Sequence, residues 1–107
     1  MLPNLGGINP QKMLQKMQDD MLRVQEQLDE ERLETSSGGG MVKVTTTGQG
    51  EILEIAIAPE VVDPNDIEML QDLIVTGVRD AMKKGQENRD QKMSSIMGSM
   101  PKIPGLL

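Results

Sequence analysis

The sequence predicts an α+β subunit in the order helix, antiparallel meander, helix. Three observations carry that prediction. Leu14, Met17, Met21, Val24 and Leu28 recur at alternating spacings of three and four, the period of one helix face. Val42 and Val44, then Leu53, Ile55 and Ile57, alternate on either side of Thr47-Gly48-Gln49-Gly50, as two strands around a turn would. Ile67, Leu70, Ile74, Val78 and Ala81 then return to helical spacing.

Residues 1–9 are rich in Gly and Pro and are expected to be a flexible N-terminus. Asn9-Pro10 then starts the first helix, because Asn can cap it and Pro fits the first helical position. Ile8 and Met13 stand where a hydrophobic staple would place them. The apolar seam runs to about residue 30 and has no evident partner within the chain. In ERLETSSGGG, Leu33 and Thr35 alternate with Arg32 and Glu34, which allows a short edge strand before the glycines turn the chain.

Loop length sets the hairpin register. A two- or four-residue loop places Val44 opposite Leu53, Val42 opposite Ile55 and Lys43 opposite Glu54, giving one apolar face. A three-residue loop would oppose Val44 to Glu54 and is disfavoured. A lone hairpin is marginal in water, and the second helix is its nearest cover. That helix is expected to begin at Val62-Asp63-Pro64, with Asp63 as cap, Asp66 at the positive end of the helix dipole, and Val62 and Ile67 as a staple. Gly77, beside its apolar stripe, implies close packing. The domain is expected over residues 10–92, followed by a flexible Met-, Pro- and Gly-rich tail at 93–107.

Composition narrows the function. The 107 residues include no Cys, His, Phe, Tyr or Trp. Disulfides are excluded, and without thiolate or imidazole a structural zinc site is not expected. With so small a core, self-association is the expected source of further stability. Only Asp, Glu, Lys, Ser and Thr could transfer protons or act as nucleophiles, so neither an enzyme nor a small-molecule substrate or cofactor is expected. Glu60, Asp63 and Asp66 lack calcium-loop spacing and are accounted for by helix capping. The GGG and GQG runs precede strands, where a phosphate cradle would precede a helix, and read as turns. No segment has the length of a membrane span or the form of a signal peptide, which points to a cytoplasmic protein.

The formal charge of −6 conceals an uneven distribution. Residues 51–72 carry seven acids and no base, whereas residues 73–107 carry six bases against three acids. On the first helix Lys12, Lys16 and Arg23 fall on one stripe, roughly 140° from the apolar seam. Asp19 and Asp20 lie close to it. On the second helix Arg79 and Lys83 follow Glu68 and Asp72 along one face, an order that the helix dipole alone favours. The bases therefore admit two readings, a solvated face or a phosphate-binding one.

The first helix LQKMQDDMLRVQEQL, the central GGGMVKVTTTGQGEILEIAIAPEVV and the following NDIEMLQDLIVTGVRDAMKK together resemble the YbaB/EbfC family of small bacterial nucleoid-associated proteins. The similarity runs from about Met13 to Lys92. It implies a helix–three-stranded antiparallel sheet–helix subunit forming a tweezer-like homodimer. It also implies non-enzymatic binding of double-stranded DNA through backbone phosphates, with little sequence preference, in the cytoplasm at the nucleoid. By location and charge, the resemblance assigns DNA contacts to Lys12, Lys16 and Arg23 on the first helix and to Lys83, Lys84, Arg89 and Lys92 on the second. The homodimer interface is expected among Leu14, Met17, Met21, Val24 and Leu28 of the seam and Val42, Val44, Leu53 and Ile55 of the hairpin. The alternative is a protein-interaction module or small chaperone-like adaptor, since helix–hairpin–helix order with a Met-rich seam also resembles prefoldin subunits in outline.

Overall fold

The computed structural model describes residues 9–98. Helix α1 (Pro10–Glu30) is followed by strands β1 (Arg32–Ser37), β2 (Val42–Thr47) and β3 (Ile52–Ile57), a short 3-10 turn (Pro59–Val61) and helix α2 (Ile67–Gly98). The strands form one antiparallel sheet in the order β1-β2-β3. The α+β order read from the sequence is the observed one, and the alternation in ERLETSS is a true edge strand.

Asn9 caps α1 as expected, its side-chain oxygen accepting from the Gln11 amide at 2.9 Å. Ile8, the other half of the expected staple, lies outside the described residues. At the far end the Arg32 guanidinium donates to the carbonyls of Asp29 and Glu31, at 2.7 and 3.0 Å, supplying partners for the last turn. The three glycines after β1 have φ of 60°, 68° and 92°, left-handed values that only glycine adopts without strain at successive positions.

The core lies between α2 and the β1–β2 half of the sheet. Val42 and Val44 are fully buried there with Ala81 and Val61, flanked by Leu70, Leu73, Ile74 and Val78. The helix approaches closely because Gly77 presents no side chain. A Cβ there would stand 3.1 Å from Val44 Cγ2. β1 contributes hydroxyls in place of apolar bulk: Thr35 donates to the Gly77 carbonyl at 3.1 Å and Ser37 to the Leu73 carbonyl at 2.7 Å. A helix backbone is thus stitched directly to an edge strand.

The hairpin register differs from the expected one by two residues. Val44 faces Ile55, Val42 faces Ile57, and Lys43 faces Ala56. The loop is the disfavoured three-residue one, with the Thr47 amide donating to the Glu51 carbonyl at 2.9 Å. A β-bulge restores parity. Thr45 pairs with Glu54 and Thr46 with Ile52, leaving Leu53 as the extra residue. Loop length alone could not reveal this, because the bulge cancels the side-chain flip that the odd loop introduces.

α2 departs from expectation at both ends. Asp66, not Asp63, caps it, accepting from the Met69 amide at 3.2 Å. Asp63 instead closes a turn through Pro64-Asn65, its carboxylate accepting from the Asn65 amide and its carbonyl from the Asp66 amide. With the cap at Asp66, Val62 and Ile67 no longer occupy staple positions. The helix also continues past residue 92 to Gly98. Ser95 is accommodated by donating to the Gln91 carbonyl, one turn back, and Ile96 is buried.

α2 gives the α1 seam an internal partner, contrary to the expectation that it had none. α1 and α2 pack on one another; Leu28 is buried, and Met17, Met21 and Val24 are half-buried. The sheet ends beside Gly85, so thirteen further residues of α2, about 20 Å of helix, reach beyond it. The molecule measures 75 × 25 × 18 Å, and its radius of gyration of 20.9 Å far exceeds the ~13 Å of a compact chain of about this size. A sheet body therefore carries a long two-helix arm.

Candidate nucleic-acid interface

The bases of α1 meet on one outward surface of the arm. Lys12, Lys16 and Arg23, with Gln15, Asp19 and Asp20, line a single open depression to which α2 contributes no residue. All three bases are exposed. Arg23 is paired with Asp20 at 3.6 Å, one turn back on the same helix. Such exposed pairs hold their partners weakly. Lys12 and Lys16, nearer the tip, have no acid between them or on the turn before.

The bases of α2 are not brought into that surface. At 100° per residue Lys83 and Lys92 lie on opposite sides of the helix, and Lys83 shares its side with Asp80 and Glu87. Arg89 and Lys92 are exposed on the part of α2 that extends past the sheet. Lys84 has a different task. Its ammonium donates to the Glu34 carbonyl at 3.0 Å and so guards the β1 edge.

The charge distribution follows the shape. The described tip of α1 carries Lys12 and Lys16 with no acid, while Glu30 and Glu31 lie at the other end of that helix. Lys12 and Glu30 are separated by about 27 Å of helix, and charges are screened over about 8 Å at physiological ionic strength. Most of the negative charge therefore belongs to the body, where residues 31–85 carry ten acids against five bases, and near the tip only Asp19 and Asp20 stand within a turn of Lys16.

The expected interface residues divide into two sets. Val42 and Val44 have no exposed surface, being consumed inside the subunit beneath α2. Leu28 is likewise buried. Leu14, Leu53 and Ile55 remain exposed, and every residue of β3 is exposed. α2 covers β1 and β2 but barely reaches β3, so Ile55 and Ile57, on the helix side of the sheet, are left open beside an unpaired strand edge. Ile57 and Ile52 were not singled out from the sequence as interface residues. Their alternation was visible, but the limited span of the covering helix was not.

An α+β subunit with a basic-tipped helical arm and, among the described residues, no cluster of metal-holding side chains is the class that fold and site define. The chain belongs to the YbaB/EbfC DNA-binding family, whose model matches residues 6–100. The members of that family are DNA-binding proteins and not enzymes. A nucleoid-associated protein of Acetivibrio thermocellus is 52% identical over 106 residues, covering 97% of this chain and 94% of that protein. A nucleoid-associated protein of Pelotomaculum thermopropionicum is 50% identical over 95 residues, covering 89% and 90%. The crystal structure of an uncharacterized protein from Helicobacter pylori superposes with a TM-score of 0.75 at 26% identity, covering 81% of this chain and 91% of that one.

Proposed function

We propose that this chain is a homodimeric, non-enzymatic protein of the cytoplasmic nucleoid that binds double-stranded DNA through its phosphates and changes the duplex's path. The observation that carries the proposal is the exposed stripe of Lys12, Lys16 and Arg23 on a helical arm held clear of the acidic body. Contacts to phosphate supply affinity without reading bases, which gives little sequence preference. The chain has no aromatic side chain on which to stack an unpaired base, so duplex is favoured over single strands. Arg89 and Lys92 on the adjoining part of α2 are the further contacts.

Two copies joined along β3 give the grip its second arm. The β1 edge is guarded by Lys84, whereas the β3 edge is unpaired and lies beside exposed Ile52, Leu53, Ile55 and Ile57. A second copy of the same strand buries these isoleucines symmetrically. The family membership and the nucleoid-associated relatives support DNA as the partner. The test is a charge-reversed chain, Lys12→Glu, Lys16→Glu and Arg23→Glu together. It should still self-associate but lose duplex binding; retained binding would remove α1 from the interface.

A further inference from the structure

The GQG turn between β2 and β3 touches both helices of the arm at their root. The Gly48 amide donates to the Leu28 carbonyl at 2.8 Å, and Gln49 Nε2 donates to Asp29 Oδ1 at 2.7 Å and to the Gln25 carbonyl at 3.4 Å. From the other side, Asn88 Nδ2 of α2 donates to the Gly48 carbonyl at 2.9 Å and to Glu31 Oε2 at 3.3 Å. Gly85 lies directly against Gly50, with no room for a side chain between them. α1, the turn and α2 are thus joined by side-chain amides where the arm leaves the sheet. A half-buried asparagine inside a helix is poor in propensity and has no apolar packing to offer, so its two hydrogen bonds are its evident contribution.

We infer that Asn88 and Gln49 are positioning residues for DNA binding: they clamp the root of the arm and so fix the placement of Lys12 and Lys16 relative to the body. Neither side chain reaches the phosphate-binding stripe. The turn that carries Gln49 also begins β3, so the clamp connects the strand assigned to the dimer with the arm assigned to DNA. Small changes of angle at the root are amplified along the arm, because about 20 Å of helix extends beyond it. The inference rests on the DNA-binding reading above.

The test uses the full-length chain with Asn88→Ala and, separately, the milder Gln49→Ala; neither changes the charge. Duplex affinity is measured at one salt concentration. Spin labels at Gln18→Cys and Gln91→Cys of one chain, diluted into unlabelled protein, report the spacing of α1 and α2. The native absence of cysteine makes this labelling specific. Each substitution should broaden the distance distribution and weaken duplex binding about five- to tenfold, as expected when a preorganised contact surface loses one or two restraining hydrogen bonds. Unchanged distances in both variants would overturn the inference, as would broadened distances with unchanged affinity. Failure of the unsubstituted chain to bind duplex would sink the DNA-binding reading itself and this role with it. Binding that is equal in all three chains would sink the clamp alone.

Discussion

Gly77 and Gly85 lie eight residues apart on α2, and replacing them by alanine should have very unequal consequences. Alanine gains about 1 kcal/mol over glycine in helix propensity at both positions. At Gly77 the added Cβ would meet only side-chain atoms: Val44 Cγ2 at 3.1 Å, Ser37 Oγ at 3.4 Å and Val42 Cγ1 at 3.7 Å. A few tenths of an ångström of give relieves that contact at a cost of about 1 kcal/mol, so Gly77→Ala should be nearly neutral. At Gly85 the Cβ would overlap Gly50 Cα and stand 2.5 Å from the Gly50 nitrogen and 3.1 Å from the Gln49 carbonyl carbon. These are backbone atoms and cannot rotate away. The turn would have to withdraw by about 1.5 Å to reach ordinary contact. That movement stretches the 2.9 Å bond from Asn88 to the Gly48 carbonyl beyond hydrogen-bonding range. Overpacking of about 1–3 kcal/mol and roughly 1 kcal/mol for the lost bond outweigh the propensity gain, for a net loss of about 1–3 kcal/mol. For a chain of this size that lowers Tm by roughly 5–15 °C. Unfolding followed by far-UV circular dichroism, at one chain concentration for all variants, reads it directly. A Gly85→Ala chain as stable as the parent, or a Gly77→Ala chain less stable than Gly85→Ala, would refute the close backbone approach.

Three further experiments probe the other assignments. Asp66→Ala should cost about 1 kcal/mol through the lost cap on the Met69 amide, and more than Asp63→Ala, in urea unfolding; the reverse order would return the helix start to Asp63. Ile55→Lys with Ile57→Lys should yield monomers in sedimentation while preserving the helical spectrum, since both side chains lie on the open part of the sheet. A dimer that survives would move the interface to α1. Lys84→Met should leave duplex affinity within about twofold yet lose about 1 kcal/mol of stability with its bond to Glu34; a large affinity loss would make Lys84 a phosphate contact after all.

Much of this architecture was legible in the sequence because it is written in periodicity and punctuation. The 3-4 spacing from Leu14 to Leu28 and the pair Asn9-Pro10 specify α1 locally, and the stripe from Ile67 to Ala81 specifies the covering face of α2. What escaped was set by cancellation or by distance. The bulge at Leu53 offsets the odd loop, so alternation alone could not yield the register. The end of α2 was misplaced because the Gly, Ser and Pro that recur after residue 92 read as breakers, whereas the helix continues to Gly98 with Ile96 buried. Gly48, Gln49 and Gly50 read as a turn and are one, but their contacts with the helices lie 17 to 40 residues away in sequence. Gly85 and Asn88 carried a faint signal: each is an unfavourable residue inside a long helix, and two within four positions mark a place where something approaches.

The stripe on α1 was legible by residue type and spacing, and the fold adds its setting. It separates Lys12 and Lys16 from the acidic body, places Arg23 beside Asp20, and commits Lys84 to a strand edge. The likeness of the seven bases as a set therefore gives way to a ranking, with Lys12 and Lys16 first.

Salt dependence of binding to a fluorescently labelled duplex, compared for the parent chain and a Lys12→Gln, Lys16→Gln variant, tests the central claim most directly. The logarithm of the association constant should fall linearly with the logarithm of salt concentration. Its slope should shrink by about 0.9 for each phosphate contact removed. Per dimer, the two substitutions remove up to four such contacts. Binding with the same slope in both proteins, or no binding by the parent chain even at low salt, would contradict a phosphate grip by the tip of α1.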